Sequence, residues 1–431
     1  MSFSRRDFLK ITGAAGAAAS FSSLPIGRLA AQSGDVTVVW WQSHGGALGE
    51  LLNALAQEFN DMDNGITIQV EYQGGYTDTM DKVITSAAAG ALPDMLHVGD
   101  GQYPPLARNG ILLPLDDLIN GPNGINLDEY SAPVYRGVLD GKMYQLAYGV
   151  STPIFYYNVE ALEEAGLDGP PETWDAFFDD YLPKLTKEGR FAFAYSPGSW
   201  WQQTAYWSNG IMVNDENWEI DLANPAAVSW FSRMQQARQN DQVKFPSPTD
   251  EGGGSGIFGS GSAAMLIEST GLIGNVDNLV GGAFTAQVGF LPGGSAGRFV
   301  PSGGNGLSII NGVSDEKRDA AWEFIKFLHA PDQYSRYDEL SGYIPITEST
   351  AAKLADVLQS DPRRQVAIDQ FEFSRWHMRF HTLARGEQAL ANAWNDCVQT
   401  DISVQERLDQ LQEEAIEIIH DAGFEPTLPT S

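Results

Sequence analysis

Cysteine is almost absent from this sequence, which limits how the fold can be stabilised. The 431 residues include one cysteine, Cys397, so no disulfide can form within the chain. We expect Cys397 to pack inside a helix. Stability must then come from an apolar core, and a chain of this length with 43 % hydrophobic residues can bury a large one.

Basic side chains and long hydrophobic runs are also scarce. Asp and Glu number 56 against 26 Lys and Arg, which gives a formal net charge of −30. Such a chain repels nucleic acid and anionic lipid, so we exclude both as partners. The excess of acid is typical of proteins that stay soluble in a saline habitat. No run of about 20 apolar residues follows the N-terminal leader, so we expect no membrane span.

Two common motifs of metal-dependent and redox sites are missing. The sequence has no His-Glu-x-x-His and no Cys-x-x-Cys. A Gly-rich loop at 251–256 lacks the Lys-Ser/Thr ending of a phosphate-binding P-loop. His377 and His381 have a spacing that a metal can use, but no third ligand is evident, so we predict neither metal nor cofactor. An exported glycosidase with two catalytic carboxylates remains the enzymatic alternative.

The N-terminus reads as a targeting signal. Ser4–Lys10 (SRRDFLK) is a twin-arginine signature, and a weakly apolar, Ala- and Gly-rich run follows it. We expect residues 1–31 to be cleaved near Ala31, and no cysteine stands there to carry a lipid anchor. The mature protein is therefore predicted to be soluble and periplasmic.

Hydrophobic periodicity predicts alternating strands and helices after the leader. The first five elements are a strand at 36–41, a helix that begins after Gly46, a strand at 66–72, a helix at 77–89 and a strand at 94–98. This order predicts an α/β lobe with a mostly parallel sheet flanked by helices. Ligands of such sheets bind beyond the carboxyl ends of the strands, so the turns after Trp41, Tyr72 and Val98 are candidate binding positions.

Two lobes are expected. The stretch 145–157 (QLAYGVSTPIFYY) is strand-like, but Gly149 and Pro153 interrupt it, which suits a crossing between lobes. We place one lobe at 33–149 and 303–346, and the other at 150–302 and 347–431. The ligand cleft is expected between them, with hinge crossings near 150, 302 and 346.

A Trp-rich segment, Ser199–Gly210 (SWWQQTAYWSNG), has its aromatic rings among amides and hydroxyls. Aromatic rings can bury the C–H faces of a sugar or polyol, while short polar side chains take the hydroxyls. If the segment is helical, Trp200, Thr204 and Trp207 share one face, and Trp201 points elsewhere. We predict that Trp200, and after it Trp201, stacks on a ligand.

Six blocks in sequence order resemble the extracellular solute-binding proteins of carbohydrate-uptake ABC importers, the class that includes maltose-binding protein. The likeness covers most of the chain after the leader. It lies in W41-x-S-x5-G49 with the following helix, G90-A-L-P-D94, S151-T-P-x-x-Y-Y-N158, T173-W174, F258-x-x-G-x-x-A-M265, and A320-A-x-x-F-x-x-F-L328 leading to G342-Y-I-P-I-T347.

Within that class, the sn-glycerol-3-phosphate-binding members are the most similar. The shared marks are Gly74-Gly75-Tyr76, Ser151-Thr152-Pro153, the Trp-rich segment and Gly342-Tyr343. The resemblance implies ligand contacts from Tyr76, Ser151, Ser269, Gly304 and Tyr343. It places at Asp100 an acidic group for the glycerol hydroxyls, where the family has a longer Glu. The family's phosphate-binding arginine matches Arg385 best, with Arg379 as its rival.

The function that this resemblance implies is capture, not catalysis. The two lobes would close on sn-glycerol-3-phosphate or a related glycerophosphodiester and deliver it to the permease of an ABC importer. A neutral sugar or oligosaccharide is the alternative ligand. The expected partners are therefore the small molecule and the membrane permease, and the protein is expected to be a monomer.

Overall fold

The structure is a computed structural model, and it describes residues 36–211 and 218–428. The predicted leader, residues 1–31, and its cleavage site near Ala31 lie outside these ranges. No helix within the described ranges has the length and apolar character needed to cross a bilayer.

Strands occur in both halves of the chain, and those at 36–42, 66–72 and 95–99 lie close to where the β-branched and apolar runs predicted them. In chain order they are β1 (Val36–Gln42), β2 (Ile66–Tyr72), β3 (Met95–Gly99), β4 (Val138–Leu139), β5 (Lys142–Met143), β6 (Leu146–Ser151), β7 (Pro153–Asn158), β8 (Phe191–Ala194), β9 (Val243–Lys244), β10 (Ala263–Ser269), β11 (Ala286–Gly289), β12 (Val300–Pro301), β13 (Gly303–Ile309) and β14 (Ser374–Arg375).

Helices connect and cover these strands. They are α1 (Gly46–Asn60), α2 (Tyr76–Ala89), α3 (Tyr103–Arg108), α4 (Asp116–Ile119), α5 (Val159–Glu164), α6 (Trp174–Ala176), α7 (Leu182–Leu185), α8 (Thr204–Trp207), α9 (Pro225–Gln239), α10 (Gly253–Gly259), α11 (Val276–Val280), α12 (Asp315–Leu328), α13 (Pro331–Leu340), α14 (Glu348–Lys353), α15 (Ala355–Ser360), α16 (Pro362–Gln370), α17 (Gly386–Gln399) and α18 (Val404–Asp421). Short 3-10 turns include Trp201–Gln203, Thr270–Asn275 and Arg379–Thr382.

The chain divides into two compact units. The first comprises the described residues up to Val150 together with Gly304–Ser360, and the second comprises Ser151–Gly303 with the residues after Ser360. Residues 347–360, which we had expected in the second lobe, belong to the first unit. Ser131 donates its backbone N–H to the Ile346 carbonyl at 2.7 Å, and Thr347 caps α14 through its hydroxyl, so the chain stays on the first unit through α14 and α15.

The first unit is built on a five-stranded sheet with the order β2-β1-β3-β13-β6. β1 runs parallel to β2, with Val36 opposite Ile66, and parallel to β3. β13 pairs with β3 in the antiparallel sense, because the chain returns from the second unit at that point. Phe324 of α12 packs its ring edge against Trp40 and Phe59, with centroids 5.2 Å apart in both pairs, and so joins helix and sheet in one core.

The second unit has a five-stranded sheet with the order β11-β7-β10-β8-β9. β8, β9 and β10 are parallel, whereas β7 is antiparallel to both β10 and β11. Each sheet is therefore mixed rather than mostly parallel as expected. In both units, however, three parallel strands share one carboxyl edge, which is the edge where ligands of open α/β sheets bind.

Candidate functional site

The carboxyl edge of the first sheet carries polar and aromatic side chains. His44 follows β1, Tyr76 begins α2 just after β2, and Asp100 follows β3. The Tyr76 ring lies 3.7 Å from where a Cβ on Gly99 would stand, so Tyr76 covers the end of β3. The three turns that the strand order singled out thus supply three neighbouring side chains.

A hydrogen-bonded aromatic cluster lines this edge. The Tyr337 hydroxyl lies 2.9 Å from His44 Nε2 and accepts a hydrogen bond from Asn305 Nδ2 at 3.0 Å. Tyr343 stacks on Tyr337 with centroids 5.5 Å apart, and the Tyr76 hydroxyl lies 3.4 Å from His44 Nε2. These rings therefore present both apolar faces and hydroxyl groups, which is the combination that a polyol requires.

Burial keeps the imidazoles of this cluster neutral. His97 is fully buried on β3, and burial lowers its pKa to about 4, although a hydrogen bond to Asn305 opposes the shift. Burial, and then the neighbouring His97, holds the pKa of His44 well below its usual value. His97 Nε2 lies 2.7 Å from Asn305 Oδ1, so the Nε2–H tautomer donates to that oxygen. A neutral cluster is suited to hydroxyl groups rather than to anions.

Asp100 is the buried acidic group of this edge. Its backbone N–H donates to the Gly304 carbonyl at 3.1 Å, and its carboxylate lies 3.8 Å from Nη1 of Arg136. Burial lowers the pKa of Arg136 to about 10, and Asp100 opposes this shift. The oxygens of the Asp100 carboxylate can accept hydrogen bonds from the hydroxyl groups of a ligand.

Gly304 is glycine for a conformational and a steric reason. Its φ is +131°, and a Cβ there would stand 1.9 Å from the Gly149 carbonyl oxygen. The close approach of these two backbones places Gly304 beside Asp100. Four predicted binding residues, Tyr76, Asp100, Gly304 and Tyr343, are thus brought together in the first unit.

In the second unit, the predicted serines lie on adjacent strand segments. Ser151 is buried at the end of β6, and Thr152 accepts a backbone hydrogen bond from Thr270 at 2.9 Å. Ser269 ends β10, and its hydroxyl caps the following 3-10 turn by accepting from Gly271 N at 3.0 Å. Because that hydroxyl oxygen is already an acceptor, its proton is available to a ligand oxygen.

The two adjacent tryptophans of the Trp-rich segment have different environments. Trp200 is partly exposed, and its indole N–H donates to the Ser302 carbonyl at 2.9 Å. A Cβ on Gly303 would lie 2.4 Å from the Trp200 ring, so the ring rests directly on that backbone. Trp201 does not match our second choice as a stacking residue, because it is 3 % exposed and packs in the core against Tyr195 and Trp230.

The segment is also not one helix. A 3-10 turn at Trp201–Gln203 is followed by the single turn of α8. Trp207 is 3 % exposed and belongs to the core, and the Thr204 hydroxyl donates to the Phe299 carbonyl at 2.7 Å. The shared face of Trp200, Thr204 and Trp207 is therefore not formed, and of the two tryptophans only Trp200 remains partly exposed.

The predicted phosphate arginines have other contacts. Arg385 is on the surface, with 61 % of its side chain exposed, and pairs with Asp421 at 3.2 Å. Arg379 lies over the Trp218 ring, 4.5 Å from its centroid. No hydrogen bond or ring contact found among the described residues links Arg385 to Trp200 or Ser269. The expectation that Arg385 joins these residues is therefore not supported by its contacts.

Sequence reasoning overlooked Arg375. Its guanidinium lies 4.2 Å from the centroid of the Phe299 ring, and its carbonyl accepts a hydrogen bond from Ser302 N at 2.6 Å. Burial lowers its pKa, and among the described residues no carboxylate raises it again. Because Ser302 also accepts from Trp200, the arginine and the tryptophan are held by the same short segment. Arg375 was missed because the family resemblance pointed to arginines later in the sequence, Arg385 and Arg379.

His44, Asn305 and Tyr337 were also missed. His44 could have been predicted from the sequence, because it lies in the first of the three turns that the strand order marks. Asn305 and Tyr337 come from β13 and α13, distant in sequence, and only the tertiary fold brings them to this edge. The other histidine pair, His377 and His381, stacks at 4.6 Å and bonds to Gln203 and Ser199. Among the described residues no group of three metal-ligating side chains is assembled.

These features define an α/β solute-binding protein with two compact units. The chain belongs to the bacterial extracellular solute-binding protein family, whose model matches residues 54–366. Residues 2–22 match the signal sequence of the twin-arginine translocation pathway, and the protein is exported to the periplasm. It has the two-lobed periplasmic-binding-protein fold and is the substrate-binding component of an ABC importer.

Among its relatives are periplasmic sn-glycerol-3-phosphate-binding proteins named UgpB. The one from Brucella abortus (strain 2308) is 29 % identical over 355 residues, which cover 77 % of this chain and 80 % of that protein. The one from Salmonella typhimurium is 26 % identical over 331 residues, covering 72 % and 74 %. The identity is modest, so these names do not by themselves fix the ligand.

Solved structures share the fold. UgpB from Mycobacterium tuberculosis, in complex with glycerophosphocholine, aligns with a TM-score of 0.83 and 24 % identity. The alignment covers 91 % of this chain and 100 % of that one. The GacH receptor of Streptomyces glaucescens, solved with acarbose, aligns with a TM-score of 0.79 and 17 % identity over 90 % and 99 % of the two chains. The same architecture thus holds phosphodiesters and sugars.

Proposed function

We propose that this protein captures sn-glycerol-3-phosphate or a related glycerophosphodiester and delivers it to its membrane permease. The observation that carries the proposal is the convergence of Tyr76, Asp100, Gly304 and Tyr343 on one edge of the first sheet. The resemblance to glycerol-3-phosphate-binding proteins implies ligand contacts at these four positions. The curated relatives of that name support the same assignment.

The first unit's edge has the chemistry of a glycerol site. The Asp100 carboxylate accepts hydrogen bonds from hydroxyl groups, and the tyrosine hydroxyls both donate and accept. The ring faces of Tyr76 and Tyr343 cover the C–H groups of the glycerol backbone. Neutral imidazoles nearby add no charge, so this edge binds the polyol and leaves the phosphate to other residues.

The phosphate is assigned to the second unit. Arg375 has a guanidinium with no carboxylate contribution to its pKa, beside the Trp200 and Ser302 pair. An arginine presents two parallel N–H groups to a phosphate, and a charge-assisted pair overcomes the field of an acidic protein locally. Ser269 and Ser151 add hydroxyl donors. We therefore propose Arg375 in place of Arg385 as the principal phosphate ligand.

Capture is proposed to occur by hinge closure. The chain passes between its two units after Val150, after Gly303 and after Ser360. We propose that rotation about these three crossings closes the units on the ligand, and that a ligand that binds both units stabilises the closed state. The permease then recognises the closed form. No bond is made or broken, so the protein is proposed not to be an enzyme.

Calorimetry of the protein without its leader tests the proposal. We expect sn-glycerol-3-phosphate or glycerophosphocholine to bind, and the thermal midpoint to rise, because a ligand at about 100 times its Kd stabilises by about 2.7 kcal/mol. Asp100→Asn should weaken the binding of both ligands. Asp332→Asn changes a largely exposed residue of α13 and should leave binding unchanged.

The alternatives give different results in the same experiment. Binding of maltose or another neutral oligosaccharide, without binding of either phosphate ligand, would show a sugar-specific member of the family. Release of product from a chromogenic glycoside would show an enzyme. Either result contradicts the proposed ligand, and the second also contradicts the proposed absence of catalysis.

A further inference from the structure

His44 is a polar side chain at the carboxyl edge of the first sheet to which neither the family resemblance nor the proposed ligand contacts assign a role. It follows β1, is half-buried, and packs its ring against that of Tyr76 with centroids 5.6 Å apart. The Tyr76 hydroxyl lies 3.4 Å from His44 Nε2. His44 is therefore in direct contact with a side chain that we propose to bind the ligand.

The hydrogen bonds of Asn305, next to His44, have one possible direction. Its side-chain oxygen Oδ1 lies 3.0 Å from the backbone N–H of Gly149, which can only donate. Oδ1 also lies 2.7 Å from His97 Nε2, so that nitrogen donates as well. The Asn305 amide nitrogen Nδ2, which can only donate, therefore faces the Tyr337 hydroxyl at 3.0 Å and His44 Nε2 at 3.4 Å.

The surroundings of His44 Nε2 make that nitrogen a hydrogen-bond acceptor. The Asn305 amide directs an N–H toward it, and a protonated Nε2 would set two hydrogens against each other. The Tyr337 hydroxyl, 2.9 Å from Nε2, already accepts from the same amide, so its own proton is available to Nε2. Because Nε2 accepts, the single hydrogen of a neutral imidazole is on Nδ1.

The Nδ1–H group of His44 is left for a ligand. Burial, and then His97, lowers the pKa of His44, so the ring is neutral near pH 7 and carries one N–H. Within the parts of the chain that the structure describes, no hydrogen bond to Nδ1 is found. An N–H on a half-buried ring without a protein acceptor can donate to a ligand oxygen.

We propose that His44 binds the ligand through its Nδ1–H, which donates a hydrogen bond to a hydroxyl oxygen of the glycerol group. This inference rests on the proposed function and adds a specificity-determining residue to it. Asp100 offers an acceptor and His44 a donor, so this edge of the sheet can match both properties of an alcohol. A ligand that lacks the hydroxyl leaves the His44 donor without an acceptor and binds more weakly.

Two amide variants of His44 test which nitrogen binds the ligand. His44→Asn keeps an N–H donor at the distance of Nδ1 from the backbone, whereas His44→Gln keeps a polar group only at the distance of Nε2. By calorimetry with sn-glycerol-3-phosphate, we expect His44→Gln to lose about tenfold in affinity and His44→Asn less than about threefold. His420→Gln, at an exposed position of α18, is the matched control and should bind like wild type. Wild-type affinity in His44→Gln would overturn the inference.

Deoxy analogues show whether a ligand hydroxyl is the acceptor. 3-Hydroxypropyl phosphate lacks the central hydroxyl of sn-glycerol-3-phosphate, and 2-hydroxypropyl phosphate lacks the terminal one. With one of the two, His44→Gln should cause no further loss of affinity, because the hydroxyl that accepts from Nδ1–H is already gone. An equal loss with both analogues and with the parent ligand would mean that His44 does not bind a hydroxyl.

NMR of the protein without ligand separates this inference from the proposed function. Long-range proton–nitrogen correlation distinguishes the two tautomers of His44, whose signals are assigned by their absence in His44→Gln, and we expect Nδ1–H. An Nε2–H tautomer in a protein that binds sn-glycerol-3-phosphate overturns the inference alone. If wild type binds no phosphate ligand, the proposed function fails and the inference fails with it. Equal thermal midpoints of wild type and His44→Gln, without ligand, ensure that lost affinity is not a folding defect.

Discussion

Adjacent residues in the Trp-rich segment serve different purposes. Trp200 remains partly exposed because its indole N–H reaches the Ser302 carbonyl and its ring rests on Gly303. Trp201 turns into the core, where its indole N–H finds the Ser196 carbonyl. Both indole N–H groups thus find a carbonyl acceptor, although the two rings face different surroundings.

At the residue scale, we expect substitution of Arg375 and substitution of Arg385 to affect phosphate binding differently. Arg375→Ala should weaken binding of sn-glycerol-3-phosphate about 10- to 100-fold, because hydrogen bonds to charged groups contribute about 1.5–3 kcal/mol each. Arg385→Ala should change it less than about threefold, since an exposed pair such as Arg385 with Asp421 contributes little. Calorimetry of both variants gives the answer directly.

A matched ligand controls this comparison. Glycerol carries no phosphate, so any residual affinity for it should be the same in wild type and in Arg375→Ala. Arg375→Lys keeps the charge without the planar fork, and we expect an intermediate affinity. If Arg385→Ala abolishes phosphate binding while Arg375→Ala retains it, the assignment of the phosphate to Arg375 is wrong.

At the scale of elements, local patterns predicted most of the structure. The strand at 66–72 has the bounds that the pattern indicated, and the helix predicted at 77–89 begins one residue earlier, because alternation and 3.6-residue spacing are properties of the segment itself. Three of the site's turns followed from the strand order alone. The antiparallel β7 and β13 were not predicted, because their direction depends on where the chain re-enters each unit.

Side-chain destinations were less predictable than elements. Arg385 was chosen from the family resemblance and Trp201 from the aromatic composition of the Trp-rich segment, yet Arg385 pairs with Asp421 and Trp201 is packed in the core. Arg375, Asn305 and Tyr337 reach the candidate site through contacts with residues far away in sequence. A single sequence carries no direct record of such contacts, so these assignments required the fold.

The junction of β12 and β13 gives a prediction about one element. Gly303→Ala places a methyl group 2.4 Å from the Trp200 ring, so the ring must move. We expect a loss of stability of about 1–3 kcal/mol from overpacking, together with weaker ligand binding. Denaturant unfolding and calorimetry measure the two effects.

Two controls isolate the contact between Gly303 and Trp200. Gly293→Ala, where the nearest atom is at 3.4 Å and φ is not positive, should be tolerated. In a Trp200→Ala background, Gly303→Ala should lower the stability of the fold much less than in wild type, because the clashing ring is gone. Equal costs in the two backgrounds would show that the ring is not what requires glycine at 303.

At the scale of the whole molecule, charge is the dominant feature. The net charge of −30 leaves many carboxylates without a basic partner, and the leader, which carries more basic than acidic residues, accounts for none of the excess. Ion pairs such as Arg336 with Glu58 are mostly on the surface, where each contributes little. We therefore predict that self-repulsion of the folded state outweighs the sum of these pairs, so that screening the charges stabilises the protein.

Salt provides the test of this balance. The screening length falls from about 10 Å at 0.1 M to about 3 Å at 1 M, so repulsion between exposed carboxylates weakens. We expect the thermal midpoint to rise by several degrees between these concentrations of NaCl and then to level off.

Tetramethylammonium chloride at the same ionic strength should give a similar rise, because screening does not depend on the identity of the cation. The triple variant Glu413→Gln, Glu414→Gln and Glu417→Gln removes three exposed charges of α18, so its midpoint should be higher than that of wild type at low salt and its response to salt smaller. A midpoint that falls on addition of NaCl would mean that the surface ion pairs contribute more than the repulsion, and the acidic surface would then need another explanation.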